Sequence, residues 1–404
     1  MPVHCINSSD DLITVTGSLA RRHHRGMTEF EQLTDRIFGL QANGSFEEAA
    51  LEVFRYQYVR NEVYRRYCDL LGRAPAAINR IEKIPFLPVE LFKSHRVVSF
   101  NGPENHVFTS SATTGSVPSS HFVYDMTVYE RSFMEGFRLF YGAPSCYCVL
   151  ALLPGYLERK GSSLVYMADR LIRESGHADS GFYLDDLDGL ALRLKRLMES
   201  GTRVLLLGVS FALLDFAEKH PMPLRNAIVM ETGGMKGRRR EMTRKELHEN
   251  LCKAFQQESI HSEYGMTELF SQAYSMGSGR FECPPWMRVL IRDSNDPLEV
   301  SAGLRGGKVN QQDSVTSRNE GAANQHEAGT SRHEGVVNFY EGSASRQENV
   351  RRIRSGGINV VDLANIQSCS FLATEDLGRL YHDGTFEVLG RFDHSEVRGC
   401  NLMA

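Results

Sequence analysis

The 404 residues carry 46 Lys+Arg against 50 Asp+Glu, a formal charge of −4, with 41% apolar and 24% charged residues. That balance suits a soluble globular chain of enzyme size, with a prior of about two to three domains at roughly 150 residues each, and it excludes a collagenous, wholly disordered or membrane-spanning protein. It supplies no strong electrostatic footprint for nucleic acid or lipid headgroups, so partners have to be argued from sites.

The N-terminal string MPVHCINSSDDLITV has two early acids and no long apolar core, and does not read as a signal peptide. No stretch reaches the roughly 18 uninterrupted apolar residues of a spanning helix. Eight cysteines without a CxxC pair argue against a disulfide scaffold or a zinc ribbon and point to a reducing, cytoplasmic compartment.

The first part of the chain, to residue 83, reads as helical. Between Phe46 and Leu71 the residues Leu51, Phe54, Tyr58 and Tyr67 recur at mixed three- and four-residue spacings, and Pro75, Pro85 and Pro88 then interrupt helix. From Cys146 the pattern changes to short apolar runs bounded by turn residues: CYCVLALLP, RVLLLGVS, NAIVMET and WMRVLIRD. Cys146 and Cys148 are expected on one face of the first of these. Helical patterns at Phe211 to Lys219 and Arg240 to Gln257 alternate with the runs, which implies a layered α/β core with much parallel sheet over residues 84–300.

Residues 301–354 break the pattern. An acid recurs every seven residues, at 313, 320, 327, 334, 341 and 348, with spacers mainly of Gly, Ala, Ser, Val and Thr. A coiled coil needs large apolar residues at two heptad positions, so the segment is expected to be a low-complexity surface insertion. The core resumes over 355–391, where Asp383-Gly384 between alternating segments signals a hairpin. Residues 392–404 form a tail.

Three strings carry chemistry. FTSSATTGSVPSSH, Phe108 to His121, clusters small hydroxyl residues around Gly115, which suits either a phosphate-cradling loop or a solvated turn. SIHSEYGMTELFS, Ser259 to Ser271, puts Tyr264 and Gly265 at a strand exit, followed by Thr267 and Glu268. The Glu268 carboxylate suits Mg²⁺ beside a phosphate, or equally the first turn of a following helix. TEDLGRLYHDGTFEVLGRFD places Asp376 before the hairpin and Arg391 after it, which suits a grip on ribose or phosphate, or equally ordinary surface charges.

In this order the three strings resemble the adenylate-forming superfamily, and more closely the acyl-protein synthetases, the long-chain-fatty-acid–protein ligases of bioluminescence type. IPFLPVELFKSH (Ile84 to His95), GSSLVYMADRLI (Gly161 to Ile172), SGFYLDD (Ser180 to Asp186), ETGGMKG (Glu231 to Gly237), PPWMRVLIRD (Pro284 to Asp293) and GGINVVDLANIQSCSF (Gly356 to Phe371) extend the likeness to the C-terminus outside the insertion. The resemblance implies the large N-terminal α/β domain of that superfamily, with mixed sheets and a missing or vestigial cap domain. It implies ATP and Mg²⁺ as cofactors. Ser110, Ser111, Thr113, Thr114 and Gly115 would hold the β- and γ-phosphates, Gly233 and Gly234 would lie at the adenine, and Tyr264, followed by Gly265, would stack on it. Thr267 and Glu268 would meet the α-phosphate and metal, Asp376 the ribose in the hairpin of 355–391, and Arg391 the hinge.

Two departures stand out. Ala112 replaces the usual Gly, and Ser119 and Ser120 follow Pro118 where a Lys is usual. Only thirteen residues follow Arg391, below the roughly 40 of an independent unit, so no cap with its adenylation lysine is expected. The resemblance implies an acyl-accepting cysteine near the C-terminus, which makes Cys400 in EVRGCNLM the candidate, with Arg398 two residues away to lower its pKa; by itself it reads equally as an incidental tail cysteine. Cys369 is expected in a core strand. The expected activity is acyl-adenylate formation from a fatty or related carboxylic acid and transfer to a protein cysteine, with an acyl-accepting or reductase partner. An acyl- or aryl-CoA ligase without its cap, and a non-catalytic acyl- or nucleotide-binding subunit, stay open.

Overall fold

The structure, a computed structural model, describes residues 27–40, 45–111, 117–154, 161–233, 242–294, 296–301 and 352–392. The seven-residue repeat, with 302–351, falls outside these, as do Ala112, Thr113, Thr114, Gly115, Gly234 and Cys400.

The first three helices among the described residues are α1 (Glu29–Phe38), α2 (Phe46–Arg60) and α3 (Glu62–Leu70). The helical pattern read from Phe46 to Leu71 is thus split at Asn61, whose side chain accepts the Tyr64 N–H and starts α3. α3 ends at Leu70, ahead of the prolines, and Pro75 instead opens a 3₁₀ turn over Pro75–Ala77; the chain then runs through β1 (Leu87–Pro88) into a hairpin of β2 (His106–Thr109) and β3 (Ser120–Val123). There follow α4 (Met126–Tyr141), β4 (Cys148–Leu152), α5 (Ser163–Ser175), β5 (Gly181–Phe182), α6 (Leu187–Glu199), β6 (Val204–Val209), α7 (Ser210–Lys219), β7 (Ala227–Thr232), α8 (Arg244–Phe255), β8 (His261–Tyr264) and β9 (Ala273–Ser275).

Strands β5-β4-β6-β7-β8-β9 form one sheet in that order, parallel except for the β8/β9 pair. Both faces are covered, which is why its strands are near-continuous apolar runs. Alternate residues divide between two cores. Cys148, Leu150, Leu206 and Val229 pack with Leu194, Leu213 and Phe255 of α6, α7 and α8. Val149, Ala151, Leu207 and Met230 face α4 and the larger core, where the single tryptophan, Trp286, is buried. Cys146 does not share a face with Cys148: Pro144 starts a 3₁₀ turn over Pro144–Cys146, and the strand begins two residues later.

A second sheet is built by β10 (Met287–Arg292), β11 (Val300–Ser301), β12 (Arg352–Asp362), β13 (Phe371–Tyr381) and β14 (Phe386–Arg391) together with β1. Its order is β1-β13-β12-β10-β11, with β14 on the other register of β13. The Asp383-Gly384 turn closes the β13/β14 hairpin: Gly384 has φ +84° and Asp383 accepts the Thr385 N–H at 2.9 Å. Cys369 is fully buried but lies in the connection between β12 and β13, not in a strand.

That connection is tied to the opening helices. Gln57 donates to the carbonyls of Asn365 and Ile366 at 3.1 and 3.2 Å and accepts the Ser370 N–H at 2.9 Å. Asn61 donates to the Ser368 carbonyl at 3.0 Å. No helix among the described residues is long and apolar enough to cross a membrane.

Candidate active site

Ligands of open parallel sheets gather beyond the carboxyl ends of the strands. Here the ends of β7 and β8 face the second sheet, and the three chemistry-bearing strings converge there.

The loop after β2 is closed at its base by a reciprocal pair: Ser110 N–H donates to the Ser119 carbonyl at 3.1 Å, and Ser119 N–H to Ser110 Oγ at 2.9 Å. Ser111 is described beside it, and Thr109 N–H reaches the Gly161 carbonyl at 2.7 Å. After β7, Gly233 takes a positive φ of +69°, and its carbonyl accepts the Ser210 hydroxyl at 2.7 Å.

The segment after β8 is irregular until β9, so Glu268 does not belong to the first turn of a helix. Its backbone is gripped from two sides. His121 Nδ1 donates to the Thr267 carbonyl at 2.8 Å, and Asn365 Nδ2 to the Glu268 carbonyl at 2.8 Å. His121 is wholly buried and burial pulls its pKa down to about 4, which keeps the ring neutral. Glu268 is itself buried, and burial raises its carboxyl above the ordinary value, opposed by the Ser119 hydroxyl and the charges of Arg391 and Lys93.

Beyond it the chain is anchored on Asp362. That buried carboxylate accepts Phe270 N–H at 2.7 Å, Ser271 N–H at 2.9 Å and Ser271 Oγ at 2.5 Å. Trp286 Nε1 completes the lattice through Ser132 Oγ and Ser271 Oγ, both at 3.1 Å.

Tyr264, Asp376 and Arg391 come together. The Tyr264 hydroxyl donates to Asp376 Oδ2 at 2.8 Å and Arg391 Nε donates to Oδ1 at 3.2 Å. The Tyr264 ring stands edge-on to Phe281 and Phe386 at 5.8 and 5.5 Å. Of the residues singled out from sequence, Ser110 and Ser111 follow β2, Gly233 follows β7, Tyr264 ends β8 with Gly265, Thr267 and Glu268 after it, and Asp376 and Arg391 lie on β13 and β14; the hydrogen bonds above bring Tyr264, Asp376 and Arg391 together.

Sequence reading assigned no role to His121, Asp362 and Asn365, or to a carboxylate pair on adjacent strands. Glu231 is 2% exposed. Burial pushes its carboxyl up, yet His248, Arg244 and Ser262 outweigh this and leave it below the ordinary value; Arg244 Nε lies at 3.1 Å. Glu263 is also buried and accepts the Thr232 hydroxyl. Burial and the nearby Glu231 charge push it up to about 7. The signal for these groups is a polar residue inside an apolar run, as in AIVMET and GGINVVDLANIQ. No cluster of three His, Cys, Asp or Glu side chains suited to a metal occurs among the described residues.

Residues 41–134 match the family model "Acyl-protein synthetase, LuxE". A long-chain-fatty-acid–luciferin-component ligase of Photorhabdus luminescens is 35% identical over 72 residues, 17% of this chain and 60% of that protein. The match therefore spans less than two thirds of the curated relative. Among solved structures, 2-hydroxyisobutyryl-CoA ligase in its postadenylation state superposes with a TM-score of 0.51 at 12% identity, covering 86% of this chain and 68% of that one. O-succinylbenzoate coenzyme A synthetase of Bacillus subtilis, with AMP, gives 0.42 at 15% identity over 70% of this chain and 49% of that one. The fold is that of the N-terminal domain of the adenylate-forming enzymes.

Proposed function

We propose that this chain, which carries an acyl-protein synthetase family segment at residues 41–134 on the fold of the adenylate-forming enzymes, activates a carboxylic acid of the fatty-acid class as its acyl adenylate and passes the acyl group to a cysteine thiol. The observation that carries the reading is the double anchoring of Thr267 and Glu268 by His121 and Asn365, opposite the Tyr264–Asp376–Arg391 group.

In the reaction, a carboxylate oxygen of the acid attacks the α-phosphorus of ATP and pyrophosphate leaves. Ser110, Ser111, Thr113, Thr114 and Gly115 would hold the β- and γ-phosphates, Gly233 and Gly234 the adenine edge, and Tyr264 its face. Asp376 would accept from the ribose hydroxyls and Arg391 would fix that carboxylate. Thr267 would donate to the α-phosphate. The donor set fits Mg²⁺: one buried carboxylate, Glu268, with phosphate oxygens and water completing the shell, as this ion prefers. Bound there, Mg²⁺ would offset the phosphate charge. In the second step the Cys400 thiolate attacks the acyl carbon, AMP leaves and a thioester remains, ready for an acyl-accepting partner protein.

ATP–pyrophosphate exchange with a panel of acids tests the first step. Exchange dependent on acid and Mg²⁺ is expected, and folded protein with no exchange for any acid rejects the reading. For the second step, mass spectrometry after incubation with ATP and acid should show a hydroxylamine-labile adduct that Cys400→Ser abolishes.

A further inference from the structure

Beneath the loop that carries Thr267 and Glu268 lies a cluster of polar side chains that the reaction above does not use. Glu263, Gln272 and Tyr274 are 6%, 7% and 1% exposed. Glu263 and Tyr274 are directly opposed in the antiparallel β8/β9 pair, so both side chains leave the same face. A Cβ on Gly265 would collide with Glu263 Oε1 and stand 3.4 Å from Gln272 Cγ. Both side chains therefore flank the exposed Gly265 backbone.

Two polar atoms there have no hydrogen-bond partner among the described residues: the Tyr274 hydroxyl and Gln272 Oε1. Buried polar atoms are nearly always paired, so two orphans beside one carboxyl call for a group the protein itself does not supply. The neighbouring tyrosines are already satisfied, Tyr129 by the Ser163 carbonyl at 2.9 Å and Tyr141 by His261 Nδ1 at 3.2 Å. Among the described residues no cation pairs with Glu263, since Arg244 and His248 both go to Glu231. The free positions are mostly acceptors, Glu263 Oε1 and Gln272 Oε1, while the surrounding wall is aromatic, with Phe140 and Tyr141 packed on the Tyr274 ring at 5.2 and 5.3 Å.

Resting on the acyl-activating reading, we propose that Glu263, Gln272 and Tyr274 form a specificity subsite for a hydrogen-bond-donating substituent, a hydroxyl or an ammonium, on the acid that is activated. The substrate class is then a substituted carboxylic acid with an apolar body, not a plain alkanoic acid. A site built to bond such a substituent discriminates against the analogue without it, because its own buried groups are left unpaired.

The test compares acids of equal chain length that are unsubstituted, hydroxylated or aminated, by pyrophosphate exchange and by calorimetric titration on the full chain. Wild-type protein is expected to favour a donor-bearing acid by at least about tenfold in kcat/KM. Tyr274→Phe, which removes only the orphan hydroxyl, should reduce that ratio several-fold, as should Gln272→Met. Preference for the aminated acid assigns an ammonium, and for the hydroxylated acid a hydroxyl. A wild-type preference for the unsubstituted acid, or a ratio unmoved in both variants, overturns the subsite and identifies the orphans as water-filled. If no acid supports exchange, the activation reading fails by itself and the titration decides the subsite: selective binding lost in Tyr274→Phe supports it, and no selectivity overturns it.

Discussion

His121 on β3 donates its Nδ1 proton to the Thr267 carbonyl at 2.8 Å, so the hydroxyl-rich hairpin and the loop after β8 are held as one unit. The ring must stay neutral in the native state, with a pKa of about 4 against an ordinary 6.5. A depressed base contributes stability that is present above pH 6.5 and is lost as pH falls toward 4. Melting temperature measured from pH 7 to pH 4 should drop, and His121→Phe should flatten that acid limb. The variant should also lose about 1–3 kcal/mol at neutral pH, because the Thr267 carbonyl is left without its donor.

Glu263 behaves with the opposite sign. Its native carboxyl is raised to about 7 from 4.5, so the stability it contributes is complete below pH 4.5 and declines as pH rises through 7. At 1.36 kcal/mol per pH unit the loss amounts to about 3 kcal/mol. Urea unfolding of Glu263→Gln should show little of this alkaline decline; a parallel decline in wild type and variant would assign the ionisation elsewhere.

The Tyr264–Asp376–Arg391 group predicts a nucleotide phenotype. Asp376→Ala should raise the KM for ATP by about tenfold or more, since hydrogen bonds to a charged group are worth about 1.5–3 kcal/mol. Tyr264→Phe keeps the ring and removes one donor to Asp376, so its effect on KM should be smaller. Exchange kinetics at varied ATP distinguish the two.

Glu268→Gln removes the charge but preserves shape. Exchange is expected to fall by at least about a hundredfold, in the range typical for loss of an electrostatic stabiliser of phosphoryl chemistry. Raising Mg²⁺ should recover part of it if the carboxylate acts through the ion.

Ser271→Ala should destabilise by about 1–3 kcal/mol in urea titration without touching substrate, because Asp362 loses one of its donors while buried. Trp286 retains Ser132, which limits the damage.

Much of this was legible in residues alone. CVLAL and VLLLGV read as buried parallel strands because apolar side chains on both faces demand cover on both faces, and Asp383-Gly384 declared its turn through the φ that Gly384 must adopt. The pairing of Leu87 with Leu372 was not legible, since two residues carry no register information. Cys146 misled because apolar alternation looks alike in a strand and in the turn that Pro144 initiates. Asp376 and Arg391 were marked as a pair by the hairpin between them. His121, Asn365 and Glu263 escaped notice because a lone polar residue announces neither its burial nor the distant backbone it supports.

The tie between Gln57 and Asn365 spans 308 positions of sequence. At a ribosomal rate of about 5–20 residues per second, the α2 amide would wait roughly 15 to 60 s for its acceptor to be synthesised. During that interval the opening helices have no permanent seat for their polar side chains. The loop that positions Glu268 would then be among the last parts of the protein to acquire its native shape, and folding yield should be more sensitive to changes at Gln57 and Asn61 than their distance from the chemistry suggests.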